Sequence, residues 1–196
     1  MKTLLCFGDS NTYGYDPRSC LGDRYPADSR WTGLLGPAYT VLEDGQNGRE
    51  IPRRPWEIDN VRALLDRVGP VDVLTVMLGS NDLLQASSLT AGDVTARMET
   101  FLAALLPHPA LARGRVLLIA PPPMVPGAWV TEERLPVQSA RLAETYRALA
   151  RRLGISFADA GAWDISLLFD GVHFSPEGHR AFARGLLRAL DAPAKP

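Results

Sequence analysis

The sequence has almost no excess of charge of either sign. Its 196 residues include 21 lysines and arginines against 22 aspartates and glutamates, for a formal net charge of −1. Because the basic excess typical of nucleic-acid-binding domains is missing, we expect no nucleic-acid partner. The chain also has no run near the ~18 consecutive apolar residues that a membrane-spanning helix needs. We therefore expect no membrane association.

Cysteine is nearly absent as well. The spacing of Cys6 and Cys20 fits neither a zinc motif nor a redox motif. Cys6 lies in an apolar run, which favours a small core residue over a disulfide partner. The stretch before Gly8 is too short for the apolar core of a signal peptide. The sequence therefore predicts a cytoplasmic protein.

Hydrophobic residues make up 46% of the chain and charged residues 22%, as in globular domains. The length predicts one domain that spans 1–196. Five short apolar runs are typical of β-strands: 3–7, 40–43, 71–78, 116–120 and 156–158. Two of them, 71–78 and 116–120, are apolar at nearly every residue, which is typical of strands buried on both faces of a parallel sheet.

Amphipathic stretches separate these runs. Helices are predicted over 57–67, 94–105, 142–153 and from 176 onward. Thr90 is a candidate cap for the second helix, Gly154 is a typical stop for the third, and Ser175 is a candidate cap for the last. The alternation of strands and helices predicts an α/β fold, a doubly wound three-layer sandwich.

Residues that can carry chemistry follow the predicted strands. Ser10 follows the first strand, Gly48 the second and Asn81 the third, and Asp170 and His173 precede the last helix. Ligands in open α/β sheets bind at the carboxyl ends of the strands. The sequence therefore predicts that these residues converge on one site.

This set supplies the parts of a serine nucleophile site. Such a serine needs a base, a group that orients the base, and donors for the developing oxyanion. His173 can serve Ser10 as base, and Asp170, three residues earlier, can orient it. The Asn81 amide and the Gly48 N–H can act as oxyanion donors. The chain order Ser, Asp, His is one of several that unrelated folds use.

Each residue also has a plainer interpretation. Asn81 could cap a turn, and Gly48 could serve only as a position with positive φ. Asp170 could be an ordinary turn residue. Asp9, next to the candidate nucleophile, is interpreted as a hydrogen-bond acceptor that braces the loop.

A metal site is another chemical interpretation of this region. Asp170, His173 and His179 could supply ligands, but that site would leave Ser10 and Asn81 without a role. We therefore expect no metal and no cofactor, and we interpret His179 as a surface residue.

At these positions the chain resembles the SGNH hydrolases, also called GDSL-type esterases and lipases. Four motif blocks match in order: Gly8-Asp9-Ser10, Gly48, Gly79-Ser80-Asn81-Asp82 and Asp170-Gly171-Val172-His173. The resemblance implies Ser10 as nucleophile, His173 as base and Asp170 as orienter. It implies an oxyanion hole made by the backbone N–H groups of Ser10 and Gly48 and the Asn81 side chain. It also implies a flavodoxin-like three-layer α/β/α sandwich with a five-stranded parallel sheet.

A closer resemblance, to the mycobacterial-type arylesterase/acyltransferase subgroup, covers nearly the whole chain. The matching segments are 6–10, 30–33, 43–45, 77–79, 121–123 and 159–161. This resemblance implies small acyl esters as substrates, and some members of the subgroup pass the acyl group to alcohols in water. Asn11 stands where the GDSL name has Leu, and the segments 107–115 and 124–136 look shorter than in the subgroup. These loops could shape the site mouth or an oligomer interface, which leaves a homo-oligomer open.

The sequence thus predicts a serine esterase that hydrolyses short-chain acetyl or aryl esters through an acyl-enzyme, with acyl transfer as an added activity. A carbohydrate O-deacetylase needs the same chemistry and is the alternative. The presence of Ser10 and His173 disfavours a non-catalytic binding module. Two long loops, 15–29 and 47–56, are candidates for shaping the site. The candidate substrate-binding residues, whose polar member at position 11 favours short acyl chains, are Asn11, Tyr13, Met124 and Trp129.

Overall fold

Five parallel strands form the centre of the computed structural model, which describes residues 1–19 and 21–192. They are β1 (Lys2–Gly8), β2 (Tyr39–Gly45), β3 (Val73–Met77), β4 (Arg115–Ala120) and β5 (Ser156–Asp159). The strands lie in the order β2-β1-β3-β4-β5, and each neighbouring pair is parallel. Helices pack on both faces of the sheet, so the predicted α/β/α sandwich with a five-stranded parallel sheet is confirmed.

In the described part of the chain, six α-helices and three short 3₁₀ turns lie between or after the strands. The α-helices are α1 (Ser10–Tyr13), α2 (Pro55–Val68), α3 (Ser80–Gln85), α4 (Ala91–Leu105), α5 (Arg134–Leu153) and α6 (Pro176–Asp191). The 3₁₀ turns are Gly33–Ala38, Pro109–Leu111 and Ala160–Ala162. Thr90 and Ser175 cap α4 and α6 with their hydroxyls, and Gly154 ends α5 in the left-handed conformation, as predicted. Within 1–19 and 21–192, none of the helices combines the length and apolar character needed to cross a bilayer.

The sheet divides the core into two halves, so the central strand β1 is buried on both faces. Leu5 and Phe7 face the half that is packed by α2, α4 and α5. Leu4 and Cys6 face the opposite half, which is packed by α6. The interpretation of Cys6 as a core residue is therefore confirmed, whereas Cys20 lies outside the described residues.

The strand order fixes where chemistry can occur. β2 pairs with one side of β1, and β3 pairs with the other side. The carboxyl ends of β1 and β3 therefore flank the point where the chain reverses its direction of progress across the sheet, which is where open α/β sheets bind ligands. Ser10 follows β1 and Asn81 follows β3, so both lie at this point.

Candidate active site

Ser10 begins α1 two residues after β1 ends. The residue between them, Asp9, has extended backbone angles, and its carboxylate accepts a hydrogen bond from the backbone N–H of Asn11 at 3.0 Å. This is the bracing contact predicted for Asp9. Burial raises the pKa of Asp9 to about 6. The turn that presents Ser10 therefore carries a carboxylate whose ionised form is disfavoured by its surroundings.

A continuous hydrogen-bonded relay joins Ser10 to two residues that lie far along the chain. The Oγ of Ser10 lies 2.8 Å from Nε2 of His173. The Nδ1 of the same imidazole lies 2.6 Å from Oδ2 of Asp170. All three side chains are buried, with His173 2% exposed and Asp170 fully enclosed. The structure thus brings together the three residues that the sequence singled out.

Hydrogen bonds hold the Asp170 carboxylate in its ionised form. Its Oδ1 accepts bonds from the backbone N–H groups of Val172 and His173 at 2.9 and 3.0 Å. Burial alone would raise the pKa of Asp170, but the bonds from the His173 side chain and from these N–H groups outweigh it and lower the pKa. An ionised acceptor at Nδ1 fixes the proton on that nitrogen. Nε2 is then free to accept the hydroxyl proton of Ser10.

The loop before α6 is pinned by the segment 125–130. The backbone N–H of Val125 donates to the carbonyl of Gly171, and that of Trp129 donates to the carbonyl of Asp170, both at 3.1 Å. Gly171 has a φ of +80°, and a Cβ there would lie 2.1 Å from the Val125 carbonyl oxygen. Glycine at this position therefore allows the two backbones to meet behind the Asp170 carboxylate.

The candidate oxyanion donors lie at the ends of β2 and β3. Gly48 has a φ of +72° in a turn after β2, which is the conformation that glycine tolerates. The side-chain nitrogen of Asn81 donates one hydrogen to the carbonyl oxygen of Arg49 at 3.0 Å. An amide nitrogen has two hydrogens, so the second stays available for a ligand beside Ser10. Both donors line the same cavity as Ser10.

The neighbouring Asp82 ties α3 to the loop after β2. Its buried carboxylate accepts hydrogen bonds from the backbone N–H of Ile51 at 3.0 Å and from the Arg97 guanidinium at 2.8 Å. Burial raises the pKa of Asp82, and Arg97 opposes that rise. Arg97 also lies 3.3 Å from Glu50. One charged cluster therefore fixes the loop that carries the candidate backbone donor.

A cavity of about 550 Å³ opens beside Ser10. Two aromatic rings pack against the imidazole of His173, with centroid distances of 4.8 Å for Tyr15 and 5.0 Å for Trp129. Trp129 is 50% exposed and lies at the cavity mouth. The described residues that line the cavity are Ser10, Tyr15, Asn47, Gly48, Asn81, Leu84, Gln85, Trp129 and His173.

Two predicted wall residues on α1 do not line this cavity. Asn11 directs its amide onto the backbone of residues 172–174. Tyr13 lies with its ring against the Arg24 guanidinium, 4.4 Å from the ring centroid. Both predictions are corrected. Successive side chains on a helical turn point about 100° apart, so the Asn11 side chain does not share the direction of Ser10. Tyr13 lies three residues after Ser10, and its ring packs on the Arg24 guanidinium instead of lining the cavity.

Met124 is a third correction, whereas Trp129 lies at the cavity as predicted. Met124 is buried in the core half that holds α5, and its backbone N–H donates to the hydroxyl of Ser139 on that helix at 2.9 Å. The chain returns to the site only five residues later, at Trp129. The segment 124–130 thus runs from the core to the cavity, and its sequence pattern does not show at which residue it leaves the core.

Sequence reasoning missed four lining residues. Leu84 and Gln85 lie on α3 three and four residues after Asn81, the spacing that places side chains on one helical face. That spacing was a usable signal, but α3 itself was not predicted. Tyr15 and Asn47 begin the two long loops that were expected to shape the site.

His179 is buried, so its prediction as a surface residue is wrong. The first turn of α6 packs under the ring of Tyr25, whose centroid lies 5.1 Å from the His179 imidazole. The His179 Nδ1 accepts a hydrogen bond from the backbone N–H of Trp31 at 3.4 Å. Burial lowers the pKa of His179 to about 3. The residue is therefore a neutral core histidine that supports the loop over α6.

The described part of the chain contains no group of three or more histidine, cysteine, aspartate or glutamate side chains placed to hold a metal ion. His179 in particular packs edge-on against the Phe174 ring, with centroids 5.4 Å apart, and accepts a hydrogen bond from the backbone N–H of Trp31. The arrangement around Ser10 contains a base, a carboxylate that orients the base, and N–H donors, which are the groups needed for acyl transfer through a serine.

Comparison with known proteins agrees with this geometry. Residues 6–181 match the model of the GDSL-like lipase/acylhydrolase family. The structure of an aryl esterase from M. smegmatis aligns with a TM-score of 0.86 and 27% identity over 97% of this chain and 98% of that one. A carbohydrate acetylesterase family member from Sinorhizobium meliloti aligns with a TM-score of 0.84 and 31% identity over 97% of both chains. A second carbohydrate acetylesterase from that organism, Est24, aligns with a TM-score of 0.85 and 26% identity over 97% of this chain and 98% of that one. The search of curated protein sequences found no match.

Proposed function

Since the chain belongs to the GDSL-like lipase/acylhydrolase family and is a carboxylic ester hydrolase, we propose that it cleaves short-chain esters, above all acetyl esters, through an acyl-enzyme on Ser10. The observation that carries this proposal is the relay from Ser10 through His173 to Asp170, with distances of 2.8 and 2.6 Å. Those distances lie within the range required for a serine, its base and the group that orients the base.

Acylation begins when Oγ of Ser10 attacks the carbonyl carbon of the ester. Nε2 of His173 takes the hydroxyl proton, and the Asp170 carboxylate stabilises the resulting imidazolium. The carbonyl oxygen becomes an oxyanion held by the N–H groups of Ser10 and Gly48 and by the second amide hydrogen of Asn81. When the tetrahedral intermediate collapses, the imidazolium gives its proton to the leaving alcohol.

Deacylation repeats these steps with water in place of Ser10. His173 takes a proton from water, the hydroxide attacks the acyl carbon, and the proton returns to Oγ as the carboxylic acid leaves. An alcohol that occupies the place of water receives the acyl group instead. We extend the proposal to this acyl transfer because the half-exposed Trp129 offers an apolar surface beside His173, where an acceptor must lie.

In the proposed mechanism, the alcohol and the acyl group of the ester contact different residues of the cavity. The leaving alcohol must lie against Nε2 of His173, where Tyr15 and Trp129 pack. The acyl group then extends toward the remaining lining residues, which include the apolar Leu84 and the polar Asn47 and Gln85. Each buried methylene contributes ~0.8 kcal/mol only against an apolar wall. This lining therefore favours acetyl and propionyl groups over long acyl chains.

A specific observation favours a second candidate, a carbohydrate O-deacetylase. Tyr15 and Trp129 form an aromatic surface at the mouth, with ring centroids 6.4 Å apart, and Trp129 is accessible to a large leaving group. Aromatic side chains of this kind are suited to the apolar faces of a sugar ring as well as to an aryl group. Two structural neighbours are carbohydrate acetylesterases.

A side-by-side substrate screen tests the proposal. Purified protein is assayed on p-nitrophenyl esters from C2 to C8 and on acetylated sugars, with Ser10→Ala as the inactive control. We expect kcat/KM to be highest for C2 or C3 and to fall beyond C4. A preference for C8 would contradict the acyl assignment, and activity that survives in Ser10→Ala would contradict the acyl-enzyme. A higher kcat/KM on acetylated sugars than on aryl acetates would favour the second candidate.

Trp129→Ala locates the leaving-group side of the cavity. If Trp129 packs on the alcohol, its loss should raise KM about tenfold for esters of large alcohols and change KM little for methyl or ethyl acetate, because ~1.4 kcal/mol of contact is removed. Val137→Ala is the matched control, since Val137 is equally exposed but does not line the cavity. An equal rise in KM for all esters would show that Trp129 does not contact the leaving alcohol.

A further inference from the structure

Asn11, the residue after the proposed nucleophile, uses every polar group it has. Its backbone N–H donates to Asp9 at 3.0 Å, and its backbone carbonyl accepts a bond from the indole N–H of Trp31 at 2.8 Å. Its side-chain nitrogen donates to the carbonyl of Val172 at 3.1 Å. Its side-chain oxygen accepts from the backbone N–H of Phe174 at 2.9 Å. Asn11 is 5% exposed, so these bonds are shielded from water.

The two side-chain bonds bracket His173. Val172 precedes that histidine and Phe174 follows it, so one amide holds the backbone on both sides of the proposed base. The orientation of the amide is determined, because its nitrogen meets a carbonyl and its oxygen meets an N–H. A flipped amide would lose both bonds. The bonds join residues 161 and 163 positions apart in the chain, so they help to fix the distance between α1 and the loop that carries His173.

Asn11 and the proposed nucleophile are adjacent in one short helix. Any shift of the loop 172–174 relative to α1 would therefore change the 2.8 Å distance between Oγ of Ser10 and Nε2 of His173. Misplacing a catalytic group by about 1 Å can cost ~10²-fold in rate. The Asn11 amide does not line the cavity, so it acts on this distance without touching substrate.

We propose that Asn11 is a positioning residue that holds His173 at hydrogen-bonding distance from Ser10. This inference rests on the proposed function, because it concerns the base of that reaction. Leucine has the same branched shape and number of side-chain heavy atoms as asparagine but can neither donate nor accept. A leucine at position 11 would fill the same space while leaving the Val172 carbonyl and the Phe174 N–H buried without partners.

Asn11→Leu is therefore the test variant. We expect kcat for p-nitrophenyl acetate to fall about 10- to 100-fold with KM within about threefold, because alignment is lost and the cavity wall is kept. The rate of fluorophosphonate labelling at Ser10 should fall by the same factor. Tyr13→Phe is the control on the same helix, and we expect it to keep the wild-type kcat, since Tyr13 lies outside the cavity. A folded Asn11→Leu protein with unchanged kcat, or with only KM raised, would overturn the proposal.

A second variant covers the case in which Asn11→Leu does not fold. Asn11→Asp keeps an acceptor for the Phe174 N–H but, when ionised, has no donor for the Val172 carbonyl. Protonation restores that donor, so the ratio of variant to wild-type kcat should rise as the pH is lowered. A ratio that does not depend on pH would contradict the positioning role.

A spectroscopic measurement separates this proposal from the proposed function. The His173 Nδ1 proton, hydrogen-bonded to Asp170 at 2.6 Å, should give a low-field proton resonance that weakens or shifts in Asn11→Leu. An unchanged resonance in the folded variant would contradict the positioning role even if the wild-type protein had no activity. Wild-type protein that neither hydrolyses esters nor reacts with fluorophosphonate would instead contradict the proposed function.

Discussion

The two sides of the cavity beside Ser10 are held by different means. On the base side, Asp170 and His173 come from one loop before α6 and meet in a hydrogen bond of 2.6 Å. On the oxyanion side, Gly48 and Asn81 follow β2 and β3, the two strands that flank β1, and offer neutral N–H groups. The base side is clamped to α1 by an amide, whereas the oxyanion side is clamped to α3 by a buried carboxylate.

The difference assigns separate energetic roles to the two sides. In the proposed mechanism His173 gains and loses a proton in every turnover, so the base side has to accommodate two charge states. The donors of the oxyanion side keep one state and act only as charge develops on the substrate oxygen. The base side should therefore determine whether the reaction proceeds and how its rate depends on pH. The oxyanion side should change only the size of the rate.

The largest effects should come from the base side and its nucleophile. Ser10→Ala and His173→Ala should each lower kcat by roughly 10⁴–10⁶, and the double variant should be little worse than either, because triad members act as a unit. Steady-state kinetics on p-nitrophenyl acetate measures this. If the double variant showed the product of the two single losses, the residues would be acting independently and the relay would not be the mechanism.

Loss of the Asn81 oxyanion donor should lower kcat less than loss of Ser10 or His173, and by a similar factor for every ester. Asn81→Ala should lower kcat by roughly 10²–10³ and leave KM within a few fold, since the donor stabilises the transition state more than the bound ester. The factor should be similar for every acyl length from C2 to C8. An effect confined to one chain length, or seen mainly in KM, would show that Asn81 is part of the acyl wall.

Loss of the Asp82 carboxylate, which holds the loop after β2, should lower kcat less than loss of the Asn81 donor. Asp82→Asn keeps an oxygen to accept the Ile51 N–H but loses the charge that pairs with Arg97 at 2.8 Å. We expect kcat to fall by about tenfold through a displaced loop, with an unchanged shape of the pH–rate profile. Asp59→Asn is a control, because Asp59 pairs with Arg62 on the exposed face of α2. A changed pH profile in Asp82→Asn would mean that the two sides are not separate.

The smallest effect concerns stability at the turn between the two sides. Burial raises the folded-state pKa of Asp9 from its ordinary value of 3.8 to about 6, so the folded protein holds that proton more tightly than the unfolded chain. The stabilisation that this proton provides is complete below about pH 4 and is lost as the pH rises through about 6. Asp9→Asn carries no such charge. Its Tm relative to wild type should therefore be higher at pH 7.5 than at pH 4, by several °C for a difference of ~1–3 kcal/mol.

Thermal unfolding of both proteins at the two pH values checks this prediction. Asp28→Asn, at an exposed loop position, serves as the control for a simple change in net charge. A Tm difference that is the same at both pH values would show that Asp9 is not destabilised by its burial.

Most of the fold was predictable because the apolar runs are unambiguous. Each predicted strand lies within or overlaps an observed one, and the caps at Thr90 and Ser175 are where the sequence placed them. The short α3 was not predicted, since six residues with a polar start give no helical period. The start of α5 at Arg134 was also missed, because no side chain caps the helix there.

The geometry of the relay was predictable and the cavity wall was not. Ser10 and Asn81 are marked by position, because residues directly after parallel strands meet at one edge of the sheet. His173 is marked by its place before the last helix. The direction of the Asn11 side chain depends on partners more than 160 residues away, so no local pattern could reveal it. The burial of His179 depends likewise on the loop that carries Tyr25 and Trp31.

In the proposed mechanism Ser10 attacks the substrate with His173 as its base, and covalent labelling tests this step most directly. Wild-type protein, Ser10→Ala and His173→Ala are treated with a fluorophosphonate, and the adduct is located by peptide mass spectrometry. We predict one adduct on Ser10 in the wild-type protein with complete loss of esterase activity, no adduct in Ser10→Ala, and labelling slowed by several orders of magnitude in His173→Ala. An adduct on another serine, or labelling that is equally fast without His173, would contradict the account.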